Sequence, residues 1–135
     1  MISLTSANFR TMERSLDAAT LRQKVIANNV ANIDTPRFKR SEVRFEELLR
    51  QEMSPATRQI EGVRTDPRHF AIGQGKDIQP IVATDENSVM NNNLNNVDID
   101  YEMTNLAENQ LRYNVFIQQV NHEFKQIKTA IEGRR

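Results

Sequence analysis

The sequence has no cysteine and no tryptophan, only four glycines and four prolines, and acidic and basic side chains in equal number, 18 of each. Each shortage closes off a class of protein. Without cysteine there is no disulfide scaffold and no thiolate metal site. Without net charge, nothing advertises nucleic acid or an anionic membrane as a partner. No apolar run approaches the ~20 residues of a membrane-spanning helix. Met1-Ile2-Ser3-Leu4 leads into a polar, charged helix pattern rather than the apolar core of a secretory signal, so export through a cleaved leader is not expected. Apolar residues make up 38% and aromatics 6%. That is thin for a compact globular core and ordinary for helices that bury a narrow stripe.

What is present is patterned. Residues 1–40 carry seven basic and three acidic side chains, residues 41–99 six and ten, and residues 100–135 five and five. Solvated faces are the commoner cause of such an imbalance; the sharper one is attraction between the basic front and the acidic middle of separate copies.

From Phe9 the positions Phe9, Met12, Leu16, Ala19, Gln23, Ile26, Val30 and Ile33 alternate steps of three and four, a heptad seam with one polar break at Gln23. This predicts a helix over about residues 7–32. Asn28, Asn29 and Asn32 compete for backbone hydrogen bonds, and Pro36 forbids helix and extends Thr35. The helix is therefore expected to stop near Ile33 and to release residues 35–40 as an extended basic arm. At the other end Met103, Leu106, Gln110, Tyr113, Ile117, Val120, Phe124, Ile127 and Ile131 keep the same rhythm without error. With Asp98 or Asp100 as cap, they predict a helix over about residues 101–132. A third, short helix is expected at about 41–53, capped by Ser41.

The rest of the middle reads as short strands at best, at 60–65, 70–72 and 78–82, the last carrying Pro80. The asparagine-rich stretch 84–96 reads as a flexible connector. The fold class that follows is mainly α: an elongated antiparallel coiled-coil pair of N- and C-terminal helices with a small irregular, β-containing middle segment. The helical core takes residues 1–34 and 98–135, the middle residues 35–97. Pairing Gln23 with Gln110 would set the register and bring Phe9 opposite Phe124. Ala18, Leu21 and Val25 on the first helix, and Ala107, Leu111 and Val115 on the last, add flanking apolar stripes that two helices cannot cover, so polymerisation is expected.

No constellation supports catalysis. His69 and His122 have no serine or carboxylate at triad spacing and too few companions for a metal. Asn96-Val97-Asp98-Ile99-Asp100-Tyr101-Glu102 opens like a calcium loop but lacks its glycine and closing glutamate. Gly73-Gln74-Gly75-Lys76 is too short for a phosphate loop. Arg37, Lys39 and Arg40 around Phe38 are a weak nucleic-acid signal in a chain of balanced charge. No catalytic, metal or cofactor residue is assigned, and neither nucleic acid nor a small-molecule substrate is expected.

The stretch Asn28-Asn29-Val30-Ala31-Asn32-Ile33-Asp34-Thr35-Pro36-Arg37-Phe38-Lys39 resembles the N-terminal signature of the bacterial flagellar axial proteins, the rod and hook family. Asn29, Asn32, Thr35, Pro36 and Lys39 match directly, Phe38 replaces the aromatic, and Arg37 stands where the family has glycine, which counts against a positive-φ turn there. Asn95-Asn96-Val97-Asp98-Ile99-Asp100-Tyr101-Glu102-Met103, with Asn109 and Tyr113, resembles the entry to the C-terminal helix of the proximal-rod members, and the short middle agrees.

The resemblance implies a structural subunit of the basal-body rod, the drive shaft from motor to hook around the export channel. It implies partners in copies of itself, other rod subunits, an adapter protein at the rod base (FliE) and the flagellar type III export gate. Phe45-Glu46-Glu47-Leu48-Leu49 resembles the gate-recognition motif of early export substrates, with Phe45 and Leu49 as its anchors; simple packing of a short helix explains it equally. A neighbouring proximal rod subunit and, from another class, a cytosolic coiled-coil adaptor or export chaperone are the alternatives.

Overall fold

The computed structural model describes residues 7–53, 79–90 and 94–133. The elements in order are α1 (Ala7–Ala31), β1 (Ser41–Arg44), α2 (Glu46–Met53), β2 (Ile81–Thr84) and α3 (Ile99–Glu132). The candidate strands at 60–65 and 70–72, His69 and Gly73–Lys76 lie outside the described residues.

α1 and α3 pack side by side and antiparallel: Asn29 reaches Glu102, Asn109 reaches Ala19, and Phe9 meets Phe124 edge-on with centroids 5.8 Å apart. At about 1.5 Å per residue, α3 is roughly 50 Å long and overhangs α1. Of the two offered caps, Asp98 is the one used. Its carboxylate accepts from the N–H groups of Asp100 and Tyr101, while Gly133, at φ 54°, closes the far end with its N–H on the Thr129 carbonyl.

Residues 41–44 are a strand and not the first turn of a helix. Ser41 caps nothing; its N–H and carbonyl are both taken by the side chain of Asn29, which holds the backbone extended. β1 pairs antiparallel with β2 in the register Ser41↔Thr84 to Arg44↔Ile81. Val43 and Phe45 point inward and are buried. α2 begins after them, with Glu46 and Glu47 in its first turn and Arg50 in its last, as the helix dipole prefers. β2 starts one residue after Pro80, so the proline removes no ladder hydrogen bond.

The interface between α1 and α3 is turned by about one residue from the heptad seam. Gln23 and Gln110 are both exposed, as are Met103, Tyr113, Phe124 and Ile131. Leu106, Ile117, Val120 and Ile127 on α3, and Phe9, Met12, Leu16 and Val30 on α1, are half-buried. The fully buried positions are Ser15, Ala18, Ala19, Ile26 and Asn29 on α1, and Glu102 and Asn109 on α3. Small Ala18 and Ala19 let the helices approach, and the buried polar groups face the side where β1 and the arm supply partners. Ala18 therefore belongs to the interface rather than to a flanking stripe. Leu21 and Val25 are half-buried, whereas Ala107, Leu111 and Val115 are exposed.

Candidate functional site: a polar clasp at the closed end of the helix pair

Where α1 ends and α3 begins, four segments converge on buried polar side chains. Asn29 donates to the Ser41 carbonyl at 2.8 Å and accepts from the Ser41 N–H at 3.0 Å, standing in for a neighbouring strand. It also donates to Oε2 of Glu102 at 3.2 Å. The other carboxylate oxygen of Glu102 accepts from Nε of Arg40 at 3.1 Å, and the Arg40 guanidinium lies 5.0 Å over the Tyr101 ring. Glu102 is 1% exposed and Asn29 0%. A carboxylate so deep is tolerable because Arg40 and Asn29 supply donors to both of its oxygens.

Two asparagines complete the clasp. The amide nitrogen of Asn95 lies 2.9–3.0 Å from the carbonyls of Asn32, Ile33 and Thr35 in the turns that follow α1, and the first and last of these also take the N–H groups of Thr35 and Phe38. Asn96 accepts from the Arg40 N–H at 2.6 Å and donates to the Asp85 carbonyl and to Oγ of Ser88. The expected flexible connector is thus tied down at its end. Asp85 also gathers the N–H groups of Asn87 and Ser88 and the Ser88 hydroxyl, and those hydrogen bonds hold its carboxyl below the ordinary value.

The arm is not a free extension. It bends at Arg37, whose φ is 61°, so the position that the flagellar axial proteins fill with glycine does need the left-handed region here, and arginine adopts it. Lys39 then reaches the Ser88 carbonyl at 2.7 Å and Arg40 enters the clasp. Of the expected motif residues, Asn29 is buried, Asn32, Phe38 and Lys39 are half-buried, and Thr35, Pro36 and Arg37 are exposed.

Beside the clasp, a cleft of about 210 Å³ opens between α1, β1 and α3, its walls including Arg22, Arg40, Arg112, Glu46, Glu102 and Asn105. Arg22 donates to both carboxylate oxygens of Glu46, at 2.8 and 2.7 Å, and Arg112 reaches the same group at 3.0 Å. Burial pushes the Glu46 carboxyl up; its own backbone N–H, the Arg22 hydrogen bond and the fields of Arg22 and Arg112 outweigh that and leave it below its ordinary value. These charges neutralise one another and carry no nucleophile–base pair. Among the described residues no group of three His, Cys, Asp or Glu side chains is placed to hold a metal ion. Phe45, the first anchor of the expected gate motif, is 3% exposed, and Leu49 is half-buried on the next turn. His122 pairs with Gln126 on the surface of α3.

Sequence reasoning missed the clasp. Asn95 and Asn96 are legible only as turn formers and Glu102 only as part of an incomplete calcium-loop pattern, although all three stand inside the stretch that carries the family resemblance.

The geometry is that of a scaffold, and comparison with known proteins agrees. Residues 9–39 match the family described as flagella basal body rod protein. The chain is similar to the flagellar basal body rod protein FlgB of Bacillus subtilis (strain 168), 41% identical over 132 residues, which span 98% of each chain. It is also similar to FlgB of Borreliella burgdorferi, 39% identical over 88% of this chain and 91% of that protein, and to FlgB of Borrelia hermsii, 40% identical over the same shares. The chain belongs to the FlgB family of flagellar basal body rod proteins and is a structural rod subunit, not an enzyme.

Proposed function

We propose that the chain is a proximal-rod subunit that polymerises through its terminal helices into the shaft joining motor to hook, around the export channel. The observation that carries this is the outer face of α3. Leu111 is 68% exposed and Val115 61%, one helical turn apart on the side of α3 turned away from the face that buries Glu102 and Asn109 against α1. Apolar side chains repeated along a long helix call for a cover of the same kind, which copies of the chain and other rod subunits provide.

In this reading residues 1–34 and 98–135 form the core domain and residues 35–97 the middle. The two seams serve both the pair and its neighbours. Residues at the bend, Thr35, Pro36 and Arg37, are placed to touch an adjacent subunit. At the base the partners are the adapter protein FliE and the type III export gate, through which the chain leaves the cytoplasm unfolded and without a cleaved leader. Because Phe45 is buried after folding, the gate would read Phe45 and Leu49 only before the middle folds.

The experiment is deletion of the gene, followed by complementation. The deletion strain should be non-motile and lack rods; complementation should restore both. A motile deletion strain with complete rods would overturn the reading. Loss of secretion on Phe45→Ala, with folding of the purified chain retained, would support the gate contact.

A further inference from the structure

Side chains crossing between α1 and α3 fall in two polar layers one heptad apart. Asn29 faces Glu102, and Arg22 faces Asn109. The spacing is seven residues on both helices, 22 to 29 and 102 to 109. Sliding α3 by one heptad toward the N-terminus of α1 therefore brings Glu102 to Arg22 and Asn109 to Ser15. Both layers would be satisfied again, guanidinium against carboxylate and hydroxyl against amide. Ser15 is already buried, with its hydroxyl turned back on the Thr11 carbonyl at 2.8 Å. Apolar positions repeat with the same period, so the seam alone accommodates two registers about 10 Å apart.

What separates these registers lies outside the seam. Arg40 holds Glu102 from the arm, and the Arg40 backbone is itself fixed by Asn96. Asn95, four residues before α3, is anchored on the carbonyls of Asn32, Ile33 and Thr35 just beyond the end of α1. We propose that Arg40 and Asn95 are a register lock: they fix the axial position of α3 on α1 and exclude the one-heptad slip in which Glu102 pairs with Arg22. The folded middle then sets the register of the helical core, and the core on its own does not. Slippage would shift every outward-facing residue of α3 by about two helical turns relative to α1.

Because the chain has no cysteine, pairs can be introduced without background. Phe9→Cys with Phe124→Cys reports the present register, in which the two rings touch. Phe9→Cys with Ile117→Cys reports the slipped one. Each pair is treated with a short bis-maleimide in the full chain. With the lock intact, the first pair should link and the second should not.

R40M/N95A should shift the ratio of the two yields toward the second by about tenfold, the change given by ~1.4 kcal/mol between registers. Adding R22M removes the partner that the slipped Glu102 would gain, and the second link should disappear. Persistence of the first link alone in R40M/N95A, or a second link that survives R22M, would overturn the lock. Should R40M/N95A lose its helical circular dichroism, the single variants R40M and N95A carry the test. Each should raise the second yield several-fold over the intact chain, and no rise in either would overturn the lock.

Discussion

Asn29 and Glu102 lie 73 positions apart in the chain and meet side chain to side chain at 3.2 Å, neither of them reached by solvent. Their contact joins the end of α1 to the first turn of α3, and Arg40 and Ser41 close over it from the arm. The most deeply buried part of the helix pair is thus polar, and its stability depends on complete pairing.

Arg40→Met leaves the Glu102 carboxylate buried beside one neutral donor. The expected loss is about 3–5 kcal/mol, the usual cost of breaking a buried pair from one side. Urea unfolding followed by circular dichroism reads it. Removing both partners, as Arg40→Met with Glu102→Leu, should recover most of the loss, because no unpaired charge remains.

Asn95 offers a test in which size is held constant. Asn95→Asp keeps the shape but replaces the donor with a carboxylate facing the Asn32, Ile33 and Thr35 carbonyls. Asn95→Ala should cost about 1–3 kcal/mol through the lost hydrogen bonds to these carbonyls and from the Val97 N–H, and Asn95→Asp should cost more at neutral pH. Equal midpoints for Asn95→Asp and the unaltered chain would contradict this anchoring role.

Arg37 sits at φ 61° on an exposed bend. Glycine adopts that conformation without the steric cost of ~1–2 kcal/mol that a side chain carries there. Arg37→Gly should therefore raise the urea midpoint, by the equivalent of about 1 kcal/mol once the added freedom of the unfolded chain is subtracted.

Acid should loosen the junction between the middle and the helices. The folded value of Glu46 lies below the ordinary 4.5, so the unfolded chain takes up this proton first as pH falls. Its contribution is whole above about pH 4.5 and is lost as pH drops through the folded value. Asp85 acts in the same direction. Glu46→Gln should lower stability at neutral pH and flatten the acid limb, so that its curve and that of the unaltered chain converge at low pH. Half-exposure and salt keep the effect small.

How much of this was legible in the sequence varies with the range of the interaction. Both long helices, with bounds within about two residues of those expected, followed from steps of three and four and from local hydrogen-bond chemistry, which offered Asp98 and Asp100 alike as the cap. So did the antiparallel pairing and the meeting of Phe9 with Phe124. The buried layers did not. Apolar periodicity put Gln23 and Gln110 on the seam, whereas the helices turned toward Ala18, Ala19 and the polar residues that β1 could satisfy.

Asparagine density at 91–96 signalled turns because that is its local preference. That Asn95 and Asn96 are buried depends on backbone groups more than 50 residues away in the chain, the Ile33 carbonyl and the Arg40 N–H. Ser41 has the chemistry of a helix cap, so residues 41–44 look like a first turn, and only the Asn29 amide on Ser41 makes the strand intelligible. The bend at Arg37 went against the residue type, since nothing in an arginine announces a positive φ.

The central claim is that α3 presents its outer face to neighbouring subunits, and one variant tests it most directly. Leu111 and Val115 are exposed in the single chain, so L111D/V115D should leave its helicity and its urea midpoint nearly unchanged. Introduced in place of the native gene, it should still be exported. Immunoblotting of purified basal bodies should then find the chain absent and the cells non-motile. Basal bodies that contain L111D/V115D at normal abundance, in swimming cells, would contradict the account.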